Sequence, residues 1–175
     1  MDNSIYPIGD YIEHSFSAEH LRERMLDIRF LPQSLEHAVN NLDEFQLNTS
    51  YREGGWNIKQ IVHHLADSHM NAFIRCKLAL TEDNPLIKPY DQDLWAEMSD
   101  AKDLPINISI TLLHALHLRW HELFSSIKEN QWSSSVMHPE YNRTMSVWFI
   151  LGLYAWHGKH HVAQIQGLRD KMNWK

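Results

Sequence analysis

The chain has 175 residues, 43% hydrophobic and 22% charged, with six glycines and six prolines: enough for one compact domain with a real core, and too unbiased for disorder, collagen or low complexity. Sixteen Lys and Arg against 22 Asp and Glu leave a net charge of −6 with no long basic run, so no nucleic acid and no anionic membrane is expected as a partner. Cys76 is the only cysteine, which rules out an intrachain disulfide and a cysteine-based zinc site, whereas histidine is abundant at 13 copies.

Residues 1–10 are polar, include Pro7 and Gly9, and lack the basic and apolar regions of a signal peptide. The longest apolar stretches, such as residues 147–156, fall far short of a membrane span. A cytoplasmic protein is the expectation. Ser17 can cap a first helix that runs to about residue 43, with Leu21, Met25, Ile28, Leu35, Val39 and Leu42 in alternating steps of three and four. Pro32 falls in the same register, so the pattern predicts one kinked helix rather than two. Glu53-Gly54-Gly55 closes a loop before a second helix over about residues 57–80.

Residues 81–107 hold Pro85, Pro89 and Pro105 and are too long for a bundle turn, so they read as a crossover with a short helix near residues 94–98. A third helix follows over about residues 109–128, with Leu113, Leu116, Trp120, Leu123 and Ile127 as its core stripe. Residues 133–144 read as a loop or short hairpin, and Ser146 can cap a fourth helix to about residue 172. Four helices with one long crossover predict an all-α four-helix bundle forming a single domain over residues 1–175.

On the fourth helix, Ile150, Leu153, Tyr154, His157, His161, Ile165 and Leu168 share one stripe, and His160 lies on its flank beside Lys159. His157 and His161 are four residues apart, so their rings project from adjacent turns into the bundle. Each buried imidazole carries a donor and an acceptor that need partners, and one divalent metal satisfies two acceptors at once. Zinc usually takes at least three protein ligands. The second helix offers His63, His64 and His69; its apolar face holds Ile58, Val62, Leu65, Ala72 and Cys76. By phase His69 is central, while His64 shares a polar flank with Ser68, Asn71 and Arg75 that can line an accessible pocket. Periodicity does not choose between them, and His69 equally fits a core histidine bonded to backbone. Cys76 reads as packing, and His114, His117 and His121 form a ridge suited to a polar helix edge or a subunit contact. His121-Glu122 is followed by Ser125 where a zincin helix needs histidine, and no nucleophile elbow, Walker A or Rossmann fingerprint is present.

Tyr6-Pro7-Ile8-Gly9, Gly54-Gly55-Trp56, His63-His64-Leu65-Ala66-Asp67-Ser68-His69-Met70-Asn71, Pro89-Tyr90-Asp91 and Leu151-Gly152-Leu153-Tyr154-Ala155-Trp156-His157 together resemble the YfiT branch of the DinB superfamily, across nearly the whole chain. The resemblance implies an up-down-down-up bundle, a homodimer, and one divalent metal held by His64, His157 and His161. It implies a metal-dependent hydrolase acting on a small molecule, or a transferase that activates a low-molecular-weight thiol; a non-enzymatic bundle binding metal or a small ligand is the competing class. Gly158, Lys159 and Gln164 make the cluster after Trp156 less histidine-rich than the family pattern, a difference at the substrate rim.

Three neutral imidazoles leave a metal its full charge and an open position, where water reaches a pKa of ~7 and a thiol binds as thiolate. Zinc is the first expectation, and nickel also tolerates imidazole donors. Asp67, three residues after His64, is a candidate base beside its plain reading as a solvated carboxylate. Arg75 offers a charge for an anionic substrate group, against its commoner use in a surface salt bridge.

Overall fold

The computed structural model describes residues 5–175, so the first four residues of the stretch read for a signal peptide lie outside the described residues. Helix α1 spans Ala18–Val39, and the Ser17 hydroxyl accepts from the His20 backbone N–H at 3.1 Å to cap it. The helix continues through Pro32, which is buried. Proline has no N–H, so the carbonyl of Ile28, one turn earlier, loses its helical donor.

The first helix is shorter than the sequence pattern suggests. It stops at Val39, and Asn41 takes a left-handed conformation with φ 61°. Asp43 then begins a separate turn, α2 (Glu44–Leu47), through a capping box: its carboxylate accepts from Gln46 N–H at 2.8 Å, and Gln46 Oε1 accepts from Asp43 N–H at 2.8 Å. This local cap overrides the apolar periodicity that carries on to Leu42. The Gly54 turn has φ +65°, a conformation that favours glycine. Asn57 and Gln60 form a second capping box that starts α3 (Ile58–Thr81).

The crossover contains two short helices where the sequence suggests one: α4 (Gln92–Ala96), capped by Asp91, and α5 (Ser99–Asp103). Both pack on α3. Then come α6 (Asn107–Ser125) and a 3-10 turn at Glu129–Ser133. The expected hairpin forms, with β1 (Ser135–His138) antiparallel to β2 (Arg143–Ser146) and His138 opposite Arg143. Helix α7 (Val147–Met172) is capped by the Ser146 hydroxyl, which accepts from Phe149 N–H at 3.0 Å.

The helix contacts fix the topology. Arg169, late in α7, donates to the carbonyls of Ala38 and Asn40 at the end of α1, so these two helices run parallel. His63, early in α3, meets Ser109, early in α6, so these two also run parallel. Glu36, late in α1, meets His114 in the first half of α6, which sets the two pairs antiparallel. The result is an up-down-down-up four-helix bundle in which α1 and α3 each pack on both α6 and α7. Gly158 lets α1 approach α7, since a Cβ there would sit 2.6 Å from Leu31 Cδ2. Among the described residues, no helix is long and apolar enough to cross a membrane.

The buried apolar side chains form two clusters. One gathers Ile28, Phe73, Trp120 and Leu151; the other gathers Leu35, Ile61, Leu113 and Ile165. On α3 the break between them falls around His69, and on α7 it falls across residues 157–161. A layer of imidazoles thus separates the two halves of the core.

Candidate metal centre

His64 on α3 and His157 and His161 on α7 bring one ring nitrogen each within 4.8 Å of one another. The Nε2 of His157 lies 3.2 Å from the Nε2 of His64 and 3.2 Å from that of His161. Partners that can only accept decide which nitrogens carry protons. The side-chain amide of Gln164 donates to the Ile5 carbonyl at 3.0 Å, which turns Gln164 Oε1 toward His161 Nδ1 at 2.8 Å. An amide oxygen only accepts, so the His161 proton sits on Nδ1 and Nε2 presents a lone pair.

A longer chain of the same logic fixes His157. The Ile28 carbonyl freed by Pro32 accepts from His117 Nδ1–H on α6. His117 Nε2 then accepts from His69 Nδ1–H at 2.9 Å, and His69 Nε2 accepts from His157 Nδ1–H at 3.1 Å. His157 Nε2 is therefore also a lone pair. Two lone pairs face each other across 3.2 Å with no proton to share. Burial holds the imidazoles neutral: it pushes His64 down to about 4, and His157 and His161 well below their ordinary value. A divalent cation is the partner that this donor set lacks. Ion–nitrogen bonds of ~2.0–2.1 Å in a tetrahedral site place the nitrogens ~3.3 Å apart, close to the spacing here.

The histidines around this centre make other contacts. His63 points toward α6, where Nε2–H donates to the Leu104 carbonyl at 3.1 Å and Nδ1 accepts from the Ser109 hydroxyl at 2.7 Å. His160 is buried rather than on an open flank; its Nε2 accepts from the Gln164 amide at 2.9 Å and its ring stacks on Trp156. His69 is a core histidine, bonded to two imidazoles and not to backbone. The ridge on α6 divides: His117 is fully buried in the relay, and half-buried His114 meets Glu36 at 3.3 Å. The polar-edge reading fails for His117 because the proline on α1 leaves a carbonyl for it to satisfy.

Asp67 is half-buried, and burial with the nearby Asp100 pushes its carboxyl up to about 6. It lines neither cavity that reaches His157. Arg75 departs from the surface salt bridge: it is 8% exposed and has no ion-pair partner among the described residues. The crossover and hairpin cover the flank of α3 that periodicity marks as polar. Cys76 is fully buried in the core, as its apolar neighbours suggest.

The three histidines open onto a cavity of about 490 Å³. Trp56 packs against His64 with ring centroids 4.5 Å apart and the rings tilted by 48°, and Tyr6, Tyr51 and Trp156 extend the aromatic wall. An ion held by the three rings would border this cavity, whose wall mixes the aromatic rings with the polar side chains of Arg52, Gln92 and Asp93. Gln164 and the His69–His117 pair are the residues that sequence reasoning missed. Gln164 had a signal, since it lies three residues after His161 on the same helix and can reach its ring.

The pattern of the DinB superfamily matches residues 27–165. A Bacillus mycoides protein, named provisionally as a metal-dependent hydrolase, is 45% identical over 170 residues, covering 97% of each chain. An Oceanobacillus iheyensis protein of the same provisional name is 46% identical over 173 residues, covering 98% of this chain and 99% of its own. The solved structure of YfiT from Bacillus subtilis, described as a probable metal-dependent hydrolase with an unusual four-helix bundle topology, superposes with a TM-score of 0.97 at 41% identity over 99% of both chains. The parallel pairing of α1 with α7 and of α3 with α6, the three converging imidazoles and these likenesses agree: the chain belongs to the DinB superfamily, among its YfiT-like members.

Proposed function

We propose that the protein is a metal-dependent hydrolase whose His64, His157 and His161 hold one divalent ion, zinc first and nickel second, at the floor of the aromatic cavity. The observation that carries this reading is the pair of lone-pair nitrogens, His157 Nε2 and His161 Nε2, held 3.2 Å apart by hydrogen bonds on the far side of each ring. The provisional names of the relatives support hydrolysis as the reaction class. A divalent ion in this site would supply Lewis acidity, making water or a thiol acidic enough to act as a nucleophile near neutral pH.

The chain's own residues do the rest. Gln164 and His69 hold the ligand rings in the productive tautomer and orientation. Trp56, Tyr51 and Trp156 shape a cavity of a size for a small molecule. Asp67 is not among the residues that line this cavity, so in this reading proton transfer falls to groups on the substrate or in solvent. The bundle functions as a homodimer in a cytoplasmic setting under the same reading, which light scattering on the purified protein checks.

The test is turnover of a panel of small esters and amides, with and without an added low-molecular-weight thiol. Chelation should abolish hydrolysis, zinc should restore it, and helicity should survive because two apolar clusters hold the bundle. Product that forms only with the thiol would assign S-transfer instead. Activity that persists after verified metal removal would reject the metalloenzyme reading.

A further inference from the structure

A second cavity, of about 470 Å³, lies on the other side of His157 from the aromatic one. His157 and Gln92 line both, so the two cavities share a wall. Four parts of the fold build it: Ser68 and Arg75 from α3, Tyr90 from the crossover, His138 from β1, and Tyr154 with His157 from α7. Its polar lining is donor-rich. It holds a guanidinium, three phenols, a hydroxyl and the imidazole of His138 beside that of His157.

Two of these side chains stand out: Arg75 meets the Tyr154 phenol but no counter-charge, and His138 leaves a ring nitrogen unpartnered among the described residues. Arg75 is 8% exposed and faces no carboxylate within ion-pair distance among the described residues, although arginine is rarely buried unless paired. Its charge is felt across the cavity, where it opposes the burial effect on the Tyr90 and Tyr154 phenols and adds to it at His138. His138 is 4% exposed, and among the described residues its Nδ1 has no hydrogen-bond partner. The two carboxylates in the lining are both exposed: Asp91 is engaged in capping α4, and Glu140 sits on the hairpin turn.

We infer that this cavity is an anion-binding subsite that takes a carboxylate of the substrate, with Arg75 as its principal ligand and His138 as a second donor. A planar carboxylate matches the guanidinium fork, supplies the counter-charge that Arg75 lacks and offers an acceptor to His138, while the Tyr90 and Tyr154 phenols already meet Ser68. A cationic group would be repelled by Arg75, and an apolar one would leave its charge without a counter-ion. Because His157 forms the shared wall, a carboxylate held here places the rest of the molecule beside the three-histidine centre. This rests on the metal-centre reading for its role in catalysis, though the binding itself does not. The substrate class is a small carboxylic acid whose cleavable bond is separated from its acid group by a short chain.

The test uses glutarate and its neutral analogue glutaramide as probes on metal-loaded protein, followed by titration calorimetry in every variant and, in the unaltered protein, through the Arg75 Nε–H resonance. Glutarate should shift that resonance saturably and glutaramide should not. R75Q should weaken glutarate binding roughly tenfold or more, R75K less, and H138A by a smaller factor. H64A, which dismantles the metal centre but leaves the second cavity, should still bind glutarate. Binding lost in H64A and kept in R75Q would place the anion on the metal and overturn the inference, as would equal binding of glutaramide. The direct shift in the unaltered protein keeps the inference falsifiable if R75Q does not fold. Glutarate binding in chelated protein that never hydrolyses any substrate would uphold the subsite and reject the metalloenzyme reading separately.

Discussion

Two groups of histidines lie side by side in this bundle and behave in opposite ways. In the core pair, His69 and His117, all four ring nitrogens have a partner, ending on the Ile28 carbonyl at one side and His157 at the other. In the cavity trio, His64, His157 and His161, the Nε2 atoms converge on one another with no donor among the two that the network fixes. Burial and residue type are nearly the same. What separates the two groups is how the hydrogen-bond network ends: the pair closes on itself and a carbonyl, whereas in the trio two lone pairs meet, an arrangement that a bound cation would complete.

The largest expected effect lies in the trio. H157A or H161A should remove most of the bound metal, while H63A should leave metal content near wild type, because His63 is fully engaged with Ser109 and Leu104. Elemental analysis of the purified variants checks this. The core pair should respond in stability first: H117A strands the Ile28 carbonyl and the His69 N–H and opens a cavity, for a loss of about 2–4 kcal/mol in denaturant unfolding.

The pair should also give the protein an acid-sensitive component. Burial holds His117 at about 4 in the folded chain, against an ordinary value near ~6.5. The unfolded chain therefore takes up this proton first as pH falls. Its contribution is fully present above ~6.5 and is lost progressively down to about 4, on the order of 3 kcal/mol in all. Urea midpoints across that window on chelated protein measure it, and H117F should flatten the slope.

Smaller effects separate orientation from ligation. Q164A should weaken metal binding about 10–100-fold with little change in fold, and Q164E, which keeps an acceptor for His161 Nδ1–H, should recover much of it. D67N should be the mildest, changing turnover less than about twofold if Asp67 acts only as an acid-base group outside the cavity.

The bundle itself was legible in the sequence, because apolar stripes and caps are local signals. Ser17 and Ser146 mark two of the four long helices, and Pro85, Pro89 and Pro105 mark the crossover. The His157/His161 spacing was equally visible as a pair on a core face. Phase could not select His64 over His69, since it assumes that one face of α3 is solvated. The crossover and hairpin cover that face, and both histidines are buried on different sides of the same helix. The relay from Pro32 through His117 was out of reach, because it depends on which helices become neighbours. Arg75 was misjudged for the same reason: nothing in its own segment shows that Tyr90 and His138 close over it.

The central claim is that three Nε2 atoms share one ion. Loading isotopically labelled protein with spin-active cadmium and recording metal-to-nitrogen couplings tests it most directly. The account predicts couplings to Nε2 of His64, His157 and His161, with the protons of His157 and His161 retained on Nδ1. Coupling to a nitrogen of His69 or His63, or no coupling to any imidazole, would contradict it.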